Sequence, residues 1–71
     1  MEELIAKLSE FLEVENLDIT KKFTDYEEWD SLVGLTILAM LDADYKTSMK
    51  ASEIVSFSSI EAFCKEVLSR Q

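Results

Sequence analysis

The sequence predicts an all-α fold: a small four-helix bundle with three main helices, one short third helix and a long first loop. Two observations predict it. Apolar residues recur at helical spacing in three separate stretches. Proline is absent and glycine occurs once, at Gly34, so the turn chemistry of an all-β chain is missing.

The first helix is expected from about Glu2 to Glu13. Leu4, Ile5, Leu8, Phe11 and Leu12 fall on one face of it. Glu2 and Glu3 suit the positive end of its dipole. Over residues 14–30 the helical period is lost. Val14, Leu17, Ile19, Phe23, Tyr26 and Trp29 are scattered there among polar and acidic residues. A connection this long is uncommon in a small domain and often functional. Its apolar residues are expected to pin it to the core.

The second helix is expected to start with Ser31 at or near its N-cap and to run to about Ala43. Ile37, Leu38, Leu41 and Tyr45 form its expected buried stripe, which leaves Val33, Leu35, Thr36, Ala39 and Met40 on the flanks or outside. Asp42-Ala43-Asp44 is a poor ending for the dipole, so fraying is expected there. Residues 46–51 read as a polar connection. Ser52 is placed to cap a short turn from Glu53 to Ser56. Ser58 and Glu61 have capping-box spacing at the head of the last helix. The stripe of that helix is Ile60, Phe63, Cys64, Val67 and Leu68.

With 71 residues the chain reads as one domain, residues 1–71, stable by only a few kcal/mol. The single cysteine, Cys64, rules out an internal disulfide and lies on the last apolar stripe as a small hydrophobe. The lack of disulfides and of a signal peptide points to the cytoplasm. The apolar run Leu32–Leu41 is about ten residues, too short to span a bilayer.

Acids outnumber bases 15 to 7, giving a net charge of −8 with no histidine. That excludes a nucleic-acid partner, which needs a basic face, and disfavours an anionic membrane surface. Partners with basic patches are favoured instead. The carboxylates of Asp25, Glu27, Glu28 and Asp30 match no calcium-loop spacing, so no metal site is expected. No histidine, phosphate-binding glycine loop or serine–base pairing points to catalysis. A monomer is expected, since nothing demands a dimer.

One short segment stands out. Trp29-Asp30-Ser31-Leu32 closes an acidic, aromatic run and opens the longest apolar stretch of the chain. A serine at a helix start has its hydroxyl beside unpaired N–H groups and the positive dipole end. A phosphate ester on that oxygen would sit where a helix favours an anion. Ser31 therefore reads as an attachment point. As a bare tripeptide, Asp30-Ser31-Leu32 reads first as a helix cap, and a cap can also be esterified.

With this segment at the head of the second helix, the chain resembles an acyl carrier protein over essentially its whole length. Ala51-Ser52-Glu53-Ile54-Val55-Ser56-Phe57-Ser58-Ser59-Ile60-Glu61-Ala62-Phe63 is similar to the family's third helix and the start of its fourth. The resemblance implies an acyl-carrier-like bundle in which Ser31 receives 4′-phosphopantetheine from coenzyme A. The arm's thiol would then hold an acyl group. Asp30 and Leu32 would form the recognition motif. The implied partners are a phosphopantetheinyl transferase and enzymes such as a ketosynthase or acyltransferase, in fatty-acid or polyketide-type biosynthesis.

The chain departs from the family where partners dock. Family members usually carry acids along the exposed side of the second helix. Here that stretch reads Val33, Gly34, Leu35, Thr36, and the acids crowd just before the motif. A specialised pathway is favoured, with Val33 and Leu35 as docking residues. Trp29 reads as a partner hot spot or as the anchor of the loop, and Gly34 as a place of close approach for the arm, a partner or the loop itself. Two rivals stand beside this reading: an aminoacyl, peptidyl or aryl carrier, and an unmodified helical interaction domain.

Overall fold

The computed structural model describes residues 1–70. They form α1 (Glu2–Leu12), a 3₁₀ turn (Phe23–Asp25), α2 (Ser31–Tyr45), α3 (Ala51–Ile54) and α4 (Ile60–Ser69), with no strand among them. The fold is all-α and acyl-carrier-like.

α1 and α4 are amphipathic, as their stripes predict. Leu4, Leu8 and Leu12 are buried at i, i+4 and i+8. Ile60, Phe63, Cys64 and Val67 are buried along α4. α1 stops one residue before the expected end, because Glu13 turns left-handed at φ 57°. Its N–H donates to the Glu10 carbonyl at 3.2 Å, and the Val14 N–H reaches the Ser9 carbonyl at 3.1 Å. This is a Schellman ending made without glycine.

α2 departs further from its expected pattern. It buries Gly34, Ile37, Met40 and Leu41, while Leu38 and Tyr45 are only partly covered. Met40, expected outside, is 7% exposed. A helix that is apolar on most sides takes its orientation from its neighbours. Here α1 and α3 both pack against it. α2 also runs past Ala43 to Tyr45. Lys46 closes it at φ 50°, and the Thr47 N–H donates to the Leu41 carbonyl at 3.0 Å. Asp44 is held from α1, since Lys7 Nζ lies 2.7 Å from its carboxylate and 5.5 Å from the Tyr45 ring centroid.

Two caps also differ from those expected. Ser52 does not cap the short helix. α3 begins at Ala51, and the Glu53 carboxylate accepts the Lys50 N–H at 3.4 Å. The cap of α4 is Ser59 rather than Ser58, its hydroxyl accepting the Ala62 N–H at 3.1 Å. The other N–H groups of that first turn are taken by the long loop. Ile60 donates to the Lys21 carbonyl at 2.8 Å, and Glu61 to the Ile19 carbonyl at 2.9 Å.

The core is centred on Phe63, which meets Phe23 edge-on at 5.0 Å and Phe57 at 5.7 Å. At the far end of α4, Arg70 ties three segments together. Its guanidinium donates to Glu66 at 2.8 Å, to Glu53 of α3 at 3.1 Å and to the Ser48 carbonyl at 3.2 Å. One planar donor set thus fastens the short helix, which buries only Ile54, to the bundle.

Candidate functional site

The long loop delivers the chain to the start of α2 through a series of local bonds. Asp18 turns it first, accepting the Thr20 N–H at 3.0 Å and the Thr20 hydroxyl. Those bonds hold the Asp18 carboxyl below its usual range. The Tyr26 hydroxyl accepts the Asp18 N–H at 2.8 Å, which folds the loop back on itself. Phe23 then enters the core, and the Asp25 carboxylate accepts the Lys22 N–H at 3.0 Å beside it.

Trp29 is partly buried. Its ring lies 5.1 Å from that of Phe23 and covers Gly34, where an added Cβ would meet Trp29 Cη2 at 3.4 Å. Of the readings open for Gly34, the structure shows close approach of the loop. Packed in this way, the indole fixes the loop just before the motif.

Asp30 follows in extended conformation, φ −153°. Its side-chain Oδ1 accepts the Val33 N–H at 2.8 Å, and its carbonyl accepts the Gly34 N–H at 3.1 Å. Asp30 is therefore the N-cap of α2, and Ser31 is the first residue inside the helix. Aspartate and serine are both favoured caps, so the adjacent pair left the boundary open by one residue.

This boundary decides what Ser31 can do. Ser31 is exposed, and among the described residues its hydroxyl has no hydrogen-bond partner. Among the described residues the N–H groups of Ser31 and Leu32 have no acceptor either. The start of α4 is the opposite case, its first turn closed by Ser59 and by loop carbonyls. α2 thus offers an anion two open donors at the positive end of its dipole, beside an unencumbered hydroxyl. Glu27, Glu28 and Asp30 come just before this point in the chain and are all exposed.

The remaining site residues divide by exposure. Leu32 is 70% exposed and Leu35 59%. Val33 is partly buried against the core, as is Trp29. Thr36 and Ala39 are exposed, and the Thr36 hydroxyl donates to the Leu32 carbonyl at 2.9 Å. No group of residues suited to a metal ion, and no pocket, is found among the described residues. Cys64 is buried, and burial pushes its thiol up to about 11.

A family model described as the phosphopantetheine attachment site matches residues 2–67. The chain belongs to that family. No curated protein and no solved structure matches it. Members of the phosphopantetheine attachment family hold 4′-phosphopantetheine covalently, and carrier domains of this kind are generally not catalytic. The match supports the likeness to acyl carrier proteins. An exposed hydroxyl with two unpaired N–H groups beside it fits a phosphate ester. No helix among the described residues is long and apolar enough to cross a membrane.

Proposed function

We propose that Ser31 is the residue that bears 4′-phosphopantetheine, and that this chain carries acyl groups as thioesters to biosynthetic enzymes of fatty-acid or polyketide type in a specialised pathway. The observation that carries the reading is the exposed, unbonded Ser31 hydroxyl at the first position of α2. The family match establishes the cofactor, and Ser31 is the serine that fits it.

When bound, the arm supplies the thiol on which the acyl group rides. The protein's own contribution is positional. Ser31 Oγ would take the phosphopantetheinyl group from coenzyme A, the pyrophosphate P–O bond breaking to release adenosine 3′,5′-bisphosphate, and the N–H groups of Ser31 and Leu32 would be free to face the phosphate oxygens. The Asp30 carboxylate is a nearby like charge, but its cap holds the first turn in place, so those N–H groups stay aligned. The Phe23–Trp29–Gly34 contact keeps the loop from covering the hydroxyl. Tethering then raises the effective concentration of cargo at each partner's active site. The chain performs no catalysis of its own in this scheme and works as a cytoplasmic monomer. The acidity, with a net charge of −8, favours acyl over aminoacyl cargo.

The deciding experiment is intact mass after incubation with coenzyme A and a promiscuous phosphopantetheinyl transferase, beside a Ser31→Ala control. A gain of one phosphopantetheine in the unsubstituted chain alone is expected. No gain with several transferases overturns the proposal. Loading of the product by malonyl-transferring rather than adenylating enzymes then checks the cargo class.

A further inference from the structure

The loop whose carbonyls finish the first turn of α4 is also the loop that delivers Ser31. A series of hydrogen bonds joins these two ends, and it passes through one side chain, Tyr26. Asp18 adjoins Ile19, whose carbonyl accepts the Glu61 N–H at 2.9 Å. The Tyr26 hydroxyl accepts the Asp18 N–H at 2.8 Å and donates to the Asp18 carbonyl at 3.2 Å, across eight positions of chain. The Tyr26 carbonyl in turn accepts the Trp29 N–H at 3.2 Å. Asp30 and Ser31 follow directly. Lys21 Nζ lies 5.7 Å from the Tyr26 ring centroid and holds the ring from its face.

We infer that Tyr26 is a positioning residue for the modification of Ser31. Its hydroxyl ties the chain ahead of the serine to the stretch of loop seated on α4, so that Ser31 Oγ is presented from a fixed point. The inference rests on Ser31 being the attachment residue, and it adds a side chain that acts on that site without touching the arm. The other side-chain bonds described in this loop, at Thr20, Lys22 and Val33, span two or three positions and shape single turns. The Tyr26 bonds alone among these set the exit of the loop against its entry. Trp29 does a different task, since its ring rests on Phe23 and on Gly34 of α2, the helix it precedes. The Tyr26 bonds are exposed, and an exposed bond exchanges for water at little net gain. Their main effect is therefore on where the chain leaves the loop. A nucleophilic oxygen must meet its electrophile in a narrow geometry, and a displacement of about 1 Å can cost about a hundredfold in rate.

Tyr26→Phe removes the hydroxyl and keeps the ring with its lysine. Thr20→Val is the control, because it removes a hydroxyl bond of the same loop that lies off the series. The probe is a promiscuous phosphopantetheinyl transferase with coenzyme A, its kcat and its KM for each carrier being followed by intact mass well below the melting temperature. Circular dichroism verifies that each variant folds. Tyr26→Phe is expected to lower kcat about tenfold with KM nearly unchanged. Thr20→Val is expected to change neither. A tyrosine that served the fold alone would leave kcat of the folded variant at its original value. Amide exchange of the unsubstituted chain supplies a readout that needs no variant. The Asp18 and Trp29 amides are expected to open together with those of Ile60 and Glu61, as one unit.

An unchanged kcat in Tyr26→Phe overturns the inference and leaves the attachment reading intact. So does an equal loss in Thr20→Val, or an Asp18 amide that exchanges freely while those of Ile60 and Glu61 are protected. No loading of the unsubstituted chain overturns both together.

Discussion

The Trp29 indole lies over Gly34, close enough that a methyl group there would meet its Cη2 atom at 3.4 Å. That is ordinary van der Waals contact, so the site has room for alanine but not for a branched side chain. Glycine inside a helix costs about 1 kcal/mol relative to alanine. Gly34→Ala is therefore expected to stabilise the fold by about 0.5–1 kcal/mol. Gly34→Val should destabilise it by displacing the ring. Urea unfolding of both variants checks this, and a destabilised alanine variant would mean that the indole sits tighter on α2 than described.

Asp30 acts on α2 through its cap. Asp30→Ala removes the bond to the Val33 N–H and should cost about 1 kcal/mol. Asp30→Asn keeps an acceptor oxygen while losing the charge, and should hold stability near the original. Thermal melts measure the first effect. Transferase kinetics on the asparagine variant then isolate the charge. If loading stays at full rate, the carboxylate serves the helix alone.

Arg70 and the Lys50 N–H hold the Glu53 carboxyl below its usual range. A depressed folded pKa contributes stability that is present above the unfolded value, about 4.3, and is lost as pH falls through the folded one. Glu53→Gln should therefore be less stable than the original at neutral pH. The two should converge as pH falls below the ordinary carboxylate range. Melting temperatures compared across that interval test the sign. A gap that widens in acid would contradict it.

Cys64 is buried with its thiol pushed up to about 11, so little thiolate exists at neutral pH. A maleimide should react with it only as fast as the bundle opens. A thiol on an arm at Ser31 would be exposed and should label within the mixing time. The loaded protein is thus expected to show one fast and one slow thiol, and the unloaded protein only the slow one. Fast labelling of the unloaded chain would place Cys64 at the surface.

The helices with a single apolar stripe were legible in the sequence, and the one without was legible only in part. Leu4-Leu8-Leu12 and Ile60-Phe63-Cys64-Val67 each leave one possible inner face. α2 offers apolar residues in several directions: Ile37 and Leu41 are buried and Leu35 exposed as expected, while only its neighbours could decide that Met40 faces in. The helix stops were hidden because the left-handed residues are Glu13 and Lys46, not glycine. The helix start at Ser31 was legible from the sequence, and the cap was displaced by one residue because aspartate and serine compete for it. Nothing in the side chains at Ile19 and Lys21 marks them as partners of α4, since it is their carbonyls that bond.

Those two carbonyl bonds bear on how the chain assembles. The first turn of α4 is finished by groups about forty positions earlier, whose delivery requires the long loop to settle first. Helix completion and loop settling become one kinetic event, a distant closure in a chain otherwise rich in near-neighbour contacts. The amide protons of Ile60 and Glu61 should then exchange with solvent only when that closure comes undone. They form a clock for how long the loop that leads to Ser31 stays seated on the bundle.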